Sequence, residues 1–346
     1  MSLLKMCLPI FIAISLITPS HARERIKIVG SSTVYPFAQV VTTVFSENSG
    51  YPHPDIVPTG TGGGLKTFCQ GDGDEYPDIA NASRRIQRSE YDLCQSNGIK
   101  DIIEVKIGYD GIVIANSTKV PNLQLSIRDL YLALARNVPA PTGEERLVIN
   151  PYVNWHQINP NLPDQKIEVL GPPPTSGTRD AFSELALEKG CQQFAWIKAI
   201  KKRDKHKFQQ ICRTLRNDGY FVEAGERDNL VVKNLEVSPQ ATGIFGYNFL
   251  ARDTDNLQGS LIEGTAPTVQ TIASGDYPLS RALYIYVKKG RFGKVPGLEQ
   301  YLLMFASETA WGPNGYLAKL GLVIMPEKER HRFRQVIERG TVLDFK

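Results

Sequence analysis

The sequence predicts an α/β protein of two domains joined by two crossing segments. Three observations predict this. Strand-like apolar runs alternate with helical patterns along most of the chain, which argues for parallel sheets with binding sites at the strands' C-terminal ends. The 346 residues exceed what a single hydrophobic core usually serves. Two extended stretches, near residues 102–115 and 283–287, stand where the chain would leave and re-enter the first domain.

The chain opens with Met1-Ser2-Leu3-Leu4-Lys5, an apolar run from Leu8 to Ile17, and Ser20-His21-Ala22, a small-x-small cleavage pattern. The expectation is a signal peptide over residues 1–22, cleaved after Ala22, with Arg23 as the mature N-terminus and 324 residues exported to the periplasm. The run is shorter than the ~20 residues a spanning helix needs. Cys7 precedes it, which disfavours a lipid anchor, and leaves with the signal. Cys69, Cys94, Cys191 and Cys212 remain, an even number bound for an oxidising compartment. Three pairings are possible, and proximity in sequence favours Cys69 with Cys94 and Cys191 with Cys212.

In order along the chain, Ile26–Val29 reads as a strand, followed by a Gly30 loop and a helix opening at Pro36, where a first turn tolerates proline. Asp55–Val57 repeats the plan, leading to a glycine loop and a short helix ending near Cys69; Pro77–Ala80 is a further strand. Residues 102–107 and 111–115 read as an extended segment interrupted at Gly108-Tyr109-Asp110-Gly111, the first crossing. The second domain then carries a helix over Ser126–Ala135, a loop-rich insertion over Pro139–Pro163, a strand over Ile167–Leu170, and strands near Leu230–Leu235 and Ile244–Tyr247. Tyr277–Arg281 leads to the returning strand Leu283–Val287, and helices over Leu298–Ala306 and Glu327–Ile337 finish the first domain.

Three junctions between such strands and helices are rich in glycine and hydroxyls: Gly30-Ser31-Ser32-Thr33-Val34-Tyr35-Pro36, Gly60-Thr61-Gly62-Gly63-Gly64-Leu65-Lys66-Thr67 and Thr175-Ser176-Gly177-Thr178-Arg179-Asp180. Small residues let backbone approach a ligand, and the free N–H groups and dipole of the following helix favour negative charge. Hydroxyls add uncharged donors, and Arg179 with Arg84 would supply planar forks suited to a tetrahedral oxyanion. Convergence of the three would make an anion clamp for phosphate. Singly, Ser32, Thr33, Ser176 and Thr178 also suit helix caps. The second junction misses a nucleotide-binding loop because Leu65 stands where the second glycine is required. Net charge is +4, or +3 without Lys5, too small to imply nucleic acid. The basic run Lys198–Lys207 lacks interleaved aromatic stacking groups and reads as a solvated helix face. The histidines lack triad or ligand spacing, no nucleophile elbow is present, and the acidic turn Asp72–Glu75 lacks the later calcium ligands, so neither hydrolysis, a metal nor a cofactor is expected.

In the order and spacing of Gly30–Pro36, Gly60–Gly64, Ala82-Ser83-Arg84 and Ser176–Arg179, the chain resembles the periplasmic phosphate-binding receptors of bacterial ABC phosphate importers. The resemblance implies a type II periplasmic binding protein fold: lobe I over residues 23–107 plus 281–346, lobe II over 108–280, one phosphate in the cleft, a monomer, and an inner-membrane ABC permease as partner. It implies donors from Ser32, Thr33, Thr61, Ser83, Arg84, Ser176, Gly177, Thr178 and Arg179. Some family members place an arginine a few residues ahead of the Ser-Gly-Thr, where this chain has prolines, which leaves that work to Arg179. Some also carry an aspartate that accepts the proton of monohydrogen phosphate; the matching position here is Ser83, and Asp110 is the expected substitute, though it would equally suit a turn with Gly111. A receptor for sulfate, arsenate or molybdate, and more remotely a secreted phosphatase-like enzyme, are the alternatives.

Overall fold

The computed structural model describes residues 25–174, 176–225 and 228–345. The expected signal segment, with Cys7 and the cleavage after Ala22, lies outside the described residues, as does Thr175.

Strands Asp55–Pro58, Lys27–Gly30 and Ile79–Ala82 lie parallel in that order, and the helices Tyr35–Ser49 and Thr61–Phe68 follow the first two strands of the chain. Strand Ser280–Lys288 runs antiparallel to Ile79–Ala82 on one side and to the long strand Ile102–Ser117 on the other. Ile102–Ser117 continues into a second group, pairing antiparallel with Thr242–Gly246, which lies parallel to Val169–Gly171 and through it to Phe221–Glu223. Leu257–Gly259 pairs with the far end of the long strand. One curled sheet thus serves a two-lobed α/β fold, with parallel strands in each lobe and the antiparallel crossing strands between them.

Several elements depart from expectation. The glycines of the second junction are not a loop: Thr61–Phe68 is helical from Thr61 onward. The interruption at residues 108–111 is a bulge within one continuous sixteen-residue strand, where the pairing shifts between Leu283 and Tyr284. Gly108 takes φ 155° there and faces the Leu322 side chain, a position a larger residue would block. The strand expected near Leu230–Leu235 is the helix Asp228–Val237. Val231 and Leu235, four apart and both fully buried, pack over Gly243 of the neighbouring strand, so the apolar period of the segment is helical despite its β-branched pair. The insertion after residue 139 holds a short strand Leu147–Ile149, paired with Asn137–Pro139, and a single helical turn Trp155–Ile158 seated on buried Trp155. Cys69 is bonded to Cys94 and Cys191 to Cys212, the pairings that proximity favours.

Candidate functional site

The cleft is built where the Gly30–Pro36, Gly60–Gly64 and Ala82–Arg84 segments of lobe I face the Ser176 junction. Ser31, not Ser32 or Thr33, holds the turn leading into the first helix: its Oγ accepts from the N–H groups of Thr33 (3.2 Å) and Val34 (3.4 Å). The hydroxyls of Ser32 and Thr33 are thereby free to face the opposite lobe. Gly30 allows this close turn, since its φ is 127° and a Cβ there would lie 2.1 Å from the Asn81 carbonyl oxygen. Gly64 has a packing task, because a Cβ on it would meet the Gly30 Cα at 2.4 Å. Leu65, the residue that breaks the nucleotide-loop pattern, is fully buried in the core beneath.

Thr61 opens its helix, and its Oγ1 accepts from the Ser83 N–H at 3.0 Å while sharing a hydrogen bond with the Ser83 hydroxyl at 2.9 Å. Arg84 forks onto Glu90 with bonds of 2.9 and 2.7 Å, which raises its pKa, and Glu90 also accepts from the Gln87 N–H at the start of the helix Arg88–Ser96. Arg85 instead forks onto Glu104. Ser32, Thr33, Thr61, Ser83 and Arg84 line one cavity of about 650 Å³ together with Arg281, Asp180 and Glu184.

Ser176 caps the helix Gly177–Phe182, its Oγ accepting from the Thr178 N–H at 3.2 Å. Gly177 lets the two lobes touch: a Cβ on it would lie 2.8 Å from the Thr33 Cα. Across this contact Thr33 Oγ1 donates to the Gly177 carbonyl at 3.3 Å, and Ser32 Oγ donates to Asp180 at 2.7 Å. Ser176, Gly177 and Thr178 line a second cavity of about 520 Å³, with Asp110 and again Ser32 and Thr33. The motif residues therefore divide between two cavities, with Ser32 and Thr33 common to both.

Arg179 joins neither. Its guanidinium donates to the Pro172 carbonyl at 2.8 Å, lies 4.9 Å from the centre of the Phe221 ring, and is 3.7 Å from Glu223. Burial lowers its pKa, with Glu223 opposing the shift. The expectation that Arg179 faces the anion is corrected on this geometry: one position beyond Thr178, the helical rotation turns it to the outer side of the strand pair.

A nearly buried cation of the cleft, Arg281, was not singled out by sequence reasoning. It stands opposite Asp110 in the pairing of the two crossing strands, and its side chain is only 8% exposed. Its guanidinium donates to Thr33 Oγ1 at 2.7 Å, Glu184 at 3.1 Å and Asp110 at 3.3 Å, so it ties both lobes and both crossing strands together. Burial raises the Asp110 carboxyl above its ordinary value, and Arg281 counters that rise. Asp110 thus sits in continuous strand, holding Arg281, and does not shape a turn with Gly111. The available signal for Arg281 was its position: a cation beginning the return crossing, opposite an acid in the outward one.

The acidic turn Asp72–Glu75 is engaged from within the chain: Arg291 bonds to Asp74, to Asp78 and to the Asp72 carbonyl. Among the described residues no cluster of His, Cys, Asp and Glu is arranged to hold a metal ion.

Two lobes bridged by crossing strands, with polar donors from both meeting in the cleft, define a binding protein of the two-lobed periplasmic type. Residues 18–309 match the PBP superfamily domain, and the chain belongs to that superfamily. It is similar to Protein SphX of Synechocystis sp., with 30% identity over 339 residues that cover 96% of this chain and 88% of that protein. It is also similar to the Phosphate-binding protein PstS of Staphylococcus saprophyticus, at 26% identity over 309 residues, covering 87% and 80% respectively. Among solved structures, a possible phosphate binding protein from Planctomyces limnophilus shares the fold with a TM-score of 0.72 at 24% identity, covering 92% of this chain and 98% of that one. Among the described residues no helix is long and apolar enough to cross a membrane.

Proposed function

We propose that the protein binds inorganic phosphate in the cleft and delivers it to an ABC permease for import. The observation that carries this reading is the preassembled set around Arg281: a nearly buried guanidinium on Thr33 Oγ1, in one cavity with the hydroxyls of Ser32, Thr61 and Ser83 and the Arg84 fork. Uncharged donors with one or two fixed cations suit an oxyanion that must be both held and released. The third junction adds the backbone of Ser176, Gly177 and Thr178 from the opposite lobe. The names of the relatives, a phosphate-binding protein among them, point the same way.

In this reading lobe I comprises residues 23–107 and 281–346, lobe II comprises residues 108–280, and the crossing strands are the hinge. Asp110 orients Arg281 and lines the adjoining cavity with Ser32, Thr33 and Ser176, from which its carboxylate would accept the proton of monohydrogen phosphate. The protein acts in the periplasm as a carrier, not as an enzyme, because the cleft hydroxyls engage one another, carboxylates, Gly177 and Arg281 rather than a general base poised beside a nucleophile. The test is retention of radiolabelled phosphate by dialysed protein challenged with excess sulfate. Retention that survives the challenge, without release of phosphate from p-nitrophenyl phosphate, is the expected result; displacement by sulfate makes the protein a general oxyanion receptor, and loop-dependent hydrolysis makes it an enzyme.

A further inference from the structure

The basic run set aside as a solvated helix face lies at the cleft. It forms two consecutive helices, Ala195–Arg203 and Lys205–Arg213, separated at Asp204, which caps the second by accepting from the Lys207 N–H. The disulfide Cys191–Cys212 fastens the end of the second helix to the segment before the first. Residues 195–213 hold seven Lys or Arg and one Asp, a charge of +6 in a chain whose total is +4, so the rest of the molecule is slightly acidic. The concentration is placed where a ligand enters: Lys201, Lys205, Gln209 and Arg213 line the same cavity as Ser32, Thr33, Thr61, Ser83 and Arg281.

The other charges on that cavity wall are largely committed to one another. Arg84 is paired with Glu90, Arg281 with Glu184 and Asp110, and Arg213 with Glu188. Asp180 accepts from the neutral Ser32 hydroxyl, which leaves its charge uncompensated by that contact. The Lys201 ammonium donates only to a neutral amide, that of Gln192 at 3.1 Å, and so its charge is not neutralised by that contact. Lys205 is exposed at the start of the second helix. The cavity wall carries five cations, Arg84, Lys201, Lys205, Arg213 and Arg281, against four carboxylates, Glu90, Asp180, Glu184 and Glu188, and the two lysines supply the excess that raises the local concentration of anions at the opening.

We propose that this helix pair is an anion-capture site at the cleft mouth, in which Lys201 and Lys205 accelerate the entry of the oxyanion without holding it in the bound state. The proposal rests on the phosphate reading of the cleft. Its signature is kinetic: capture charges act on the association rate and are screened by salt, whereas contacts to the bound ligand act on dissociation.

The experiment measures equilibrium binding and chase dissociation of radiolabelled phosphate, giving kon as koff divided by Kd, for wild type, Lys201→Gln/Lys205→Gln, the reversal Lys201→Glu/Lys205→Glu, and the charge-matched control Lys294→Gln/Lys328→Gln. At about 10 mM ionic strength the glutamine pair should lower kon roughly three- to tenfold and the glutamate pair further, with koff within about twofold; near 0.5 M salt the differences should fall below about 1.5-fold. The control pair, away from the cavity, should follow wild type. Equal kon in wild type and both cleft variants overturns the proposal, as does a loss confined to koff or one that persists at high salt. Wild type that retains no phosphate overturns the phosphate reading and this proposal together, whereas binding with an unchanged variant kon overturns this proposal alone.

Discussion

Replacing Arg281 with methionine keeps most of the side-chain volume and removes the guanidinium that bonds Thr33, Asp110 and Glu184 together. Two consequences separate cleanly. For binding, losing one partner of a desolvated, hydrogen-bonded charge pair costs about 2–5 kcal/mol, which is roughly a 30- to 5,000-fold rise in the phosphate Kd. For folding, Asp110 becomes an uncompensated carboxylate beside the hinge, while Glu184, 41% exposed, turns to water at little cost. Burial already raises the Asp110 pKa and Arg281 opposes the rise, so removing the arginine raises it further. The folded state then binds more protons than the unfolded one above the carboxyl's ordinary value, and stability must fall as pH increases through that window. Arg281→Met should therefore lose stability more steeply than wild type as pH rises above the carboxyl's ordinary value, and Asp110→Asn added to it should flatten the difference without restoring binding. Urea unfolding across pH, with isothermal calorimetry for phosphate, measures both. A folded Arg281→Met protein that binds phosphate within about threefold of wild type would refute the assignment of Arg281 to the anion, since the expected loss is at least tenfold larger.

Arg179→Ala should leave phosphate affinity within about twofold but lower stability by about 1–2 kcal/mol, because it loses the Phe221 face and the Pro172 carbonyl; calorimetry and urea unfolding read the two effects. Gly177→Ala should hold the lobes apart, as the new methyl meets lobe I backbone 2.8 Å away, and small-angle scattering with saturating phosphate should show a larger radius of gyration than wild type. Cys69→Ser/Cys94→Ser should lower stability by roughly 3 kcal/mol through the freed loop while retaining phosphate binding, which denaturant midpoints and radiolabel retention check.

What was legible in the sequence was local. Glycine after an apolar strand, proline in a first turn and hydroxyls at a junction each act within a few residues, and they locate the Gly30, Thr61 and Ser176 segments correctly as ends of strands opening onto helices. The misread elements are those where local composition and tertiary contact disagree. Val231-Val232 has strand chemistry, yet Gly243 opens a groove into which Val231 and Leu235 fit from one helical face. Gly108 and Gly111 look like punctuation, yet they keep a strand continuous where Leu322 and Ile272 crowd it. Arg179 was drawn to the anion by its adjacency to Thr178, but adjacency on a helix means a rotation of about 100°. Arg281 offered only its place at the start of the return crossing, because the rest of its meaning comes from a partner 171 residues away, across an antiparallel register that no local pattern encodes.

That same register places one arginine where, on the proposed reading, it serves both binding and closure. Arg281 leaves the return crossing at the point where the chain passes between lobes, so its guanidinium reaches lobe I at Thr33 and lobe II at Glu184 without either lobe supplying it from a mobile loop. Asp110, directly opposite, fixes its direction through a neighbouring strand of the same sheet. The cleft hydroxyls have partners within the chain: Ser32 on Asp180, Thr33 on Gly177, and Thr61 with Ser83. An oxyanion that enters must take donors away from those partners, Asp180 first, since two anions cannot share the Ser32 hydroxyl without repulsion. On the proposed reading, phosphate binding would exchange an internal carboxylate for an external anion around the Arg281 guanidinium, with displacement of Asp180 from Ser32 as the expected accompaniment of occupancy.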